Sequence, residues 1–268
     1  MRSVLLVALA AYTSAWEGHG VQVVWASLAA GLATAVGALP AVAFARLPED
    51  VRSFAMGVSA GVMTVVSIWG LGVPALNTGP GEAAGGLLGG TVAMWGLDRV
   101  VRRAVLGQGR RPPPSARRQH ARRALLLWTA IVVHNIPEGL AVGAAYAAPI
   151  PVRAAMLAVS IGAHNLPEGL AVAVPLRAAG VHRWLAWAAA AAAGLVEPLA
   201  AATAYLTLVS APGWLPAAHA GAAAAMLYVV ATDMLPELVA QPFPGWGAVG
   251  AGLGLAAALA VEVWAGGT

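Results

Sequence analysis

Eight runs of about 20 apolar residues, parted by short connections marked by arginine, glycine or proline, constrain this chain to a bundle of membrane-spanning helices. They fall at 21–45, 53–76, 82–101, 121–147, 152–176, 184–209, 215–240 and 247–264. Apolar residues form 60% of the 268-residue sequence and charged residues 10%, too little polar surface to coat a soluble globule of that length. The predicted fold class is all-α, a polytopic membrane helical bundle with eight transmembrane helices.

Arginine placement orients the bundle. Lysine is absent, and the fifteen arginines gather between the spans. With the amino terminus outside, thirteen of them lie on the inner side or at its membrane boundary, leaving Arg2 and Arg153 outside. This predicts a multi-pass protein of the inner cell membrane with both termini extracytoplasmic. It also accounts for the basic balance without nucleic acid. Residues 21–268 read as one transmembrane domain, within which the Arg- and Pro-rich stretch 102–120 is a cytoplasmic loop with no core of its own. The apolar segment in 1–20 is too short to cross and follows Arg2, so it reads either as a signal peptide or as a peripheral half-helix.

Inside the fourth and fifth runs nine residues recur almost unchanged, His134–Val142 (HNIPEGLAV) and His164–Val172 (HNLPEGLAV), differing only at Ile136 and Leu166. On a helix His134, Asn135 and Glu138 share one face, as do His164, Asn165 and Glu168. Such groups are expensive in hydrocarbon, and their duplication implies a shared task. The sequence has no cysteine, so imidazole, amide and carboxylate are the donors left to a metal ion. The alternative is a polar network that satisfies itself without an ion. Pro137 and Pro167 should bend their helices, while Gly139 and Gly169 leave room beside the carboxylates for an ion or a neighbouring helix. The short connection Ala147–Pro151 makes the two helices antiparallel neighbours, with both motifs at similar depth.

Other spans carry further acids. Glu197, followed by Pro198, is by itself a pairing partner or a protonatable group. Asp233 lies well inside the seventh run, whereas Glu237 is close enough to the inner end to be merely solvated. Met63 is either helix packing or a soft ligand. Glycines at helical spacing (Gly57 with Gly61, Gly86 with Gly90, Gly250 with Gly254) point to close helix approach. Trp184, Trp187, Trp214, Trp246 and Trp264, near the ends of runs, read as interfacial anchors. Glu17, His19, Glu82 and His219 fall at the outer ends and read as solvated.

Taken together, these motifs resemble the ZIP (Zrt-, Irt-like protein) family of divalent metal transporters, particularly its prokaryotic GufA-like and ZupT-like branches. The likeness covers essentially the whole chain from Val21. It rests on the paired His-Asn-x-Pro-Glu-Gly motifs, Glu197–Pro198, the Ser-Ala-Gly-Val-Met of Ser59–Met63, and the acid before Met-Leu-Pro-Glu237. The resemblance implies eight core helices in a 3+2+3 inverted-repeat arrangement, outward termini, and a transport site between the fourth and fifth helices. Carried over residue by residue, it implies a binuclear site bridged by Glu138 and Glu168. One ion would meet His134, His164 and Met63, the other Asn135, Asn165 and Glu197, and Asp233 would stand on the inward exit path. Two departures matter. Many relatives carry aspartate where this chain has Asn165, which leaves the second site one negative charge short. Relatives often have histidine where Thr232 stands, and their histidine-rich loop is reduced here to His120, which argues against metal sensing by the loop.

The expected function is inward transport of a divalent transition-metal cation by alternating access. Zn²⁺ is the first choice, but mixed nitrogen and oxygen donors also suit Fe²⁺, Mn²⁺, Cd²⁺ or Co²⁺. The ion is substrate, and no prosthetic group is expected. The partners are the metal ion and the lipid bilayer, with a homodimer as the assembly to look for. Two other readings stand beside this one. A metal-dependent intramembrane hydrolase lacks the His-Glu-x-x-His pattern and an obvious acid or base. A selective cation channel of the same fold differs in its kinetics, not in its ligands.

Overall fold

The computed structural model describes residues 19–44, 47–106, 116–240 and 244–266. The amino-terminal segment up to residue 18, with Glu17, and the middle of the Arg/Pro-rich loop, with the His120 side chain, lie outside the described residues. Among the described residues all regular structure is helical and forms eight long helices. They are α1 (Val21–Ala43), α2 (Glu49–Thr78), α3 (Pro80–Leu106), α4 (Ala116–Ala147), α5 (Pro151–Ala178), α6 (Arg183–Ser210), α7 (Pro212–Val239) and α8 (Pro244–Gly266). Each contains most or all of one expected apolar run. Six of them, all but α3 and α4, are long and apolar enough to cross a membrane by length and composition alone. Glycines and charges dilute α3, and α4 carries arginines at its start and the polar motif in its second half.

Local chemistry explains the irregular turns. The π-helical segments Val66–Gly72 in α2 and Val230–Met234 in α7 each end two residues before a proline, Pro74 or Pro236. A proline ring clashes with the carbonyl four residues earlier, and a widened turn relieves that clash. In α6 the helix breaks at Leu195, between Arg183–Gly194 and Val196–Ser210. The break sets Glu197 in the first turn of a new helical segment in mid-bundle, where a proline at the next position is tolerated. By contrast, α4 and α5 stay α-helical through Pro137 and Pro167. After α5 the chain reverses at Gly180, whose φ of 84° only glycine adopts freely, and Val181 N donates to Leu176 O at 3.0 Å to close the helix end.

Polarity is distributed inside out. Leu88, Leu199 and Val263 are each more than 70% exposed, whereas Asn135, Glu138, Asn165 and Glu197 have no exposed surface. That skin suits hydrocarbon and would aggregate in water. Trp184, Trp214, Trp246 and Trp264 are exposed near span ends, as expected of anchors. Trp187 is different, because its Nε1 donates to Ala35 O at 2.9 Å and ties α6 to α1. His219 is also not solvated; it is buried and hydrogen-bonded to the Ala144 backbone.

Glycine seams hold the helices together where apolar burial gives no drive to associate. A Cβ on Gly57 or Gly61 would strike the Gly247 or Ala251 carbonyl of α8, and one on Gly250 or Gly254 would strike Phe54 or Val58 of α2. Gly86 and Gly90 meet the Ala217 and Gly221 carbonyls of α7 in the same way. Gly139 and Gly143 of α4 lie on Glu197 and Ala201 of α6, Gly169 of α5 lies on Thr34 of α1, and Gly31 faces Gly194. The room beside each motif carboxylate is therefore taken by a neighbouring helix. The seams join α1, α4, α5 and α6 into one set and pair α2 with α8 and α3 with α7, and contacts of α7 with the second half of α2 unite those two pairs as a second set. Contacts of α2 with α5 and of α7 with α4 join the sets, and the motif helices α4 and α5 pack on each other.

Candidate metal centre

Because α4 and α5 pack face to face, the two motif copies meet. Glu138, His164 and Glu168 each offer a ligand atom, and these atoms all lie within 4.8 Å of one another. His164 Nε2 is 3.2 Å from Glu138 Oε1, yet the approach lacks hydrogen-bond direction, so both atoms remain without a hydrogen-bond partner. The other ring nitrogen, Nδ1, is 3.0 Å from Ser59 Oγ of α2, a contact that fixes how the imidazole presents Nε2.

Deeper in the bundle, Asn165 Nδ2 donates to Ala30 O at 2.9 Å and to Glu197 Oε1 at 2.7 Å. The break in α6 positions Glu197 for this contact. Both polar atoms of Asn135, the second oxygen of Glu138, Asn165 Oδ1, Glu168 Oε2 and Glu197 Oε2 are buried without a hydrogen-bond partner. Buried polar groups are normally paired, and a concentration of orphans in one place requires a missing partner. Most of them are acceptor oxygens, a donor set whose chemistry fits a cation.

A cavity of about 490 Å³ leads to this place and is lined by Ser59, Met63, Asp98, Arg102, His134, Glu138, His164, Glu168, Asp233 and Glu237, among others. Met63, only 1% exposed, lies in its wall. His134 is set apart from the trio, because its Nε2 lies 3.0 Å from Asp233 Oδ2 in the π-helical turn of α7. Arg102 Nη2 holds the other Asp233 oxygen at 2.8 Å, and Arg102 Nε binds both oxygens of Asp98. The structure therefore gathers Glu138, His164 and Glu168 in one cluster and Asn165 with Glu197 in another. It pairs His134 with Asp233 nearer the mouth. Asp98, Arg102 and Ser59 have places here that sequence reasoning did not give them. The i, i+4 spacing of Asp98 and Arg102 was the available signal for the first two.

Fold and centre together define a polytopic helical membrane protein built around buried imidazole and carboxylate donors. Residues 107–260 match the family model described as ZIP Zinc transporter. The chain is 36% identical over 227 residues to the zinc transporter GufA of Myxococcus xanthus, covering 79% of this chain and 86% of that protein. It is 35% identical over 230 residues to the zinc transporter ZupT of Chlorobium limicola, covering 78% and 85%. It is 50% identical to the zinc transporter ZIP11 of Xenopus tropicalis over 122 residues, 43% of this chain and 36% of that protein. The chain belongs to the ZIP family. That family is one of transporters and not of enzymes, which sets the hydrolase reading aside.

Proposed function

We propose that this protein carries a divalent transition-metal cation into the cytoplasm across the inner membrane, Zn²⁺ foremost, with Fe²⁺, Mn²⁺, Cd²⁺ and Co²⁺ as chemically similar cargo. The observation that carries this reading is the buried trio of Glu138, His164 and Glu168 beside the cavity. The zinc transporter names of the relatives agree with it. Glu138 and Glu168 bridge two ions. His164 and Met63 complete the first ion's ligands, and Asn135, Asn165 and Glu197 serve the second. His134 pairs with Asp233, so we assign it to the exit step.

The packing supports a 3+2+3 inverted repeat. The sequence offset between Gly31 and Gly194 recurs between Thr34 and Glu197, between Phe54 and Ala217, and between Val58 and Gly221, all contact points of the glycine seams. This regularity relates α1–α3 to α6–α8, with α4 and α5 exchanging places. Because the seams run within each helix set, the two sets can shift as blocks, which is what alternating access needs. The arginine-rich connections support an orientation in which the cavity mouth near Arg52 and Arg102 faces the cytoplasm and both termini lie outside.

The test is uptake of Zn²⁺ or Cd²⁺ into sealed liposomes holding the purified protein and an internal metal-sensitive dye. Saturable uptake, lost in Glu138→Ala and Glu168→Ala, is expected. Linear, non-saturating flux would assign a channel, and absence of flux would overturn the reading.

A further inference from the structure

Arg102 stands where an outgoing cation must pass. Its Nε lies 2.7 and 2.8 Å from the two oxygens of Asp98, one turn earlier on α3, and its Nη2 lies 2.8 Å from Asp233 Oδ1 on α7. Asp233 Oδ2 is in turn 3.0 Å from His134 Nε2. One guanidinium therefore spans two carboxylates, and the second carboxylate is tied to the histidine of the first motif. All four residues line the cavity that reaches Glu138, His164 and Glu168.

The charges decide what this arrangement does. Two aspartates and one arginine leave a single net negative charge beside a histidine. Without the guanidinium, two carboxylates and an imidazole would face the cavity, a donor set and charge that suit a divalent ion. Arginine is always charged, and its planar fork satisfies two acceptors at once. Its side chain is nevertheless 52% exposed, and ion pairs at that exposure hold weakly enough for a competing ion to displace them.

We propose that Arg102 is a tethered counter-cation at the inner mouth. The departing divalent ion displaces it from Asp233, and its return expels the ion and denies both aspartates to cations on the cytoplasmic side. The inference rests on the transport reading for its direction, while its first test needs no transport. In equilibrium Zn²⁺ binding to the purified full chain in lipid nanodiscs, Arg102→Gln binds one equivalent more than the parent. Adding Asp233→Asn to that variant removes the extra equivalent. Arg102→Lys, whose single ammonium cannot fork across both carboxylates, gains the same site with weaker occupancy and serves where the glutamine variant folds poorly. In sealed liposomes Arg102→Gln lowers the maximal uptake rate several-fold with little change in the half-saturating outside concentration. Unchanged stoichiometry in both Arg102 variants overturns the proposal even if the parent transports. An extra equivalent in the variants of a parent that moves no metal overturns the transport reading and leaves the guanidinium's competition with cations standing.

Discussion

Glu138 Oε1 and His164 Nε2, on different helices and almost without exposed surface, lie 3.2 Å apart without forming a hydrogen bond. Each belongs to one copy of the repeated motif. On the proposed reading the contact is the point at which the two copies would share one ion, because a cation satisfies an imidazole lone pair and a carboxylate together.

Removal of one carboxylate should weaken binding and relieve the metal-free protein at the same time. Glu138→Ala is expected to lower Zn²⁺ affinity by more than the roughly 10–100-fold typical of supporting residues, since it deletes a ligand itself. The same change raises the melting temperature in chelator, because fewer buried charges go uncompensated, and it cancels the rise that added Zn²⁺ gives the parent. Thermal unfolding with EDTA and with Zn²⁺ reads both effects. A lower melting temperature in chelator with unaltered Zn²⁺ affinity would contradict the assignment.

Ser59→Ala removes the 3.0 Å contact to His164 Nδ1 and leaves the ligands in place. An affinity loss of roughly 10–100-fold is expected, with uptake still saturable, because the ring is less firmly oriented. Isothermal titration of Zn²⁺ checks it, and an affinity equal to the parent's would deny Ser59 this role.

The glycine beside each motif carboxylate can be tested against a glycine in open space. Gly139→Ala and Gly169→Ala place a methyl group on the Glu197 and Thr34 carbonyls and should destabilise by about 1–3 kcal/mol. Gly89→Ala meets nothing within 4 Å and should be neutral or stabilising by up to about 1 kcal/mol. Denaturant unfolding in detergent micelles orders the three variants, and equal stability among them would refute the seam argument.

Asn165→Asp adds a negative charge to the second cluster but gives up the donations to Ala30 O and Glu197 Oε1. The variant should retain the second equivalent of Zn²⁺ more fully than the parent through gel filtration and be less stable than the parent in chelator, with carboxylates now facing each other. Elemental analysis of protein recovered from gel filtration counts the metal. A single equivalent in both forms would show that position 165 does not limit the second ion.

Much of this was legible in the chain because membrane helices write their polarity plainly. Hydropathy located all eight long helices, six of them apolar enough to cross a membrane, and the three- and four-residue spacings in the motifs put His164, Asn165 and Glu168 on one face. What periodicity along a single helix cannot convey is which distant helix answers it. Arg102 reads from the sequence as a topology-setting charge, and nothing local to it announces Asp233 on α7. His134 and His164 are identical in context, yet one meets Asp233 and the other Ser59, because the helices packed beside the two copies present different side chains. Trp187 likewise looks like an interfacial anchor until its hydrogen bond to Ala35 is known. Proline gave a mixed signal. Pro74 and Pro236 follow widened turns and Pro198 follows a break, while Pro137 and Pro167 sit in continuous α-helix.

The break at Leu195 makes Glu197 an acid in the first turn of its own helical segment, the end at which a helix carries partial positive charge. On the proposed transport reading, part of its attraction for a cation would thus be cancelled from behind, and its grip would be softer than that of Glu138 or Glu168. A conveyor of metal needs such a grip, firm enough to strip water from its cargo and slack enough to let go.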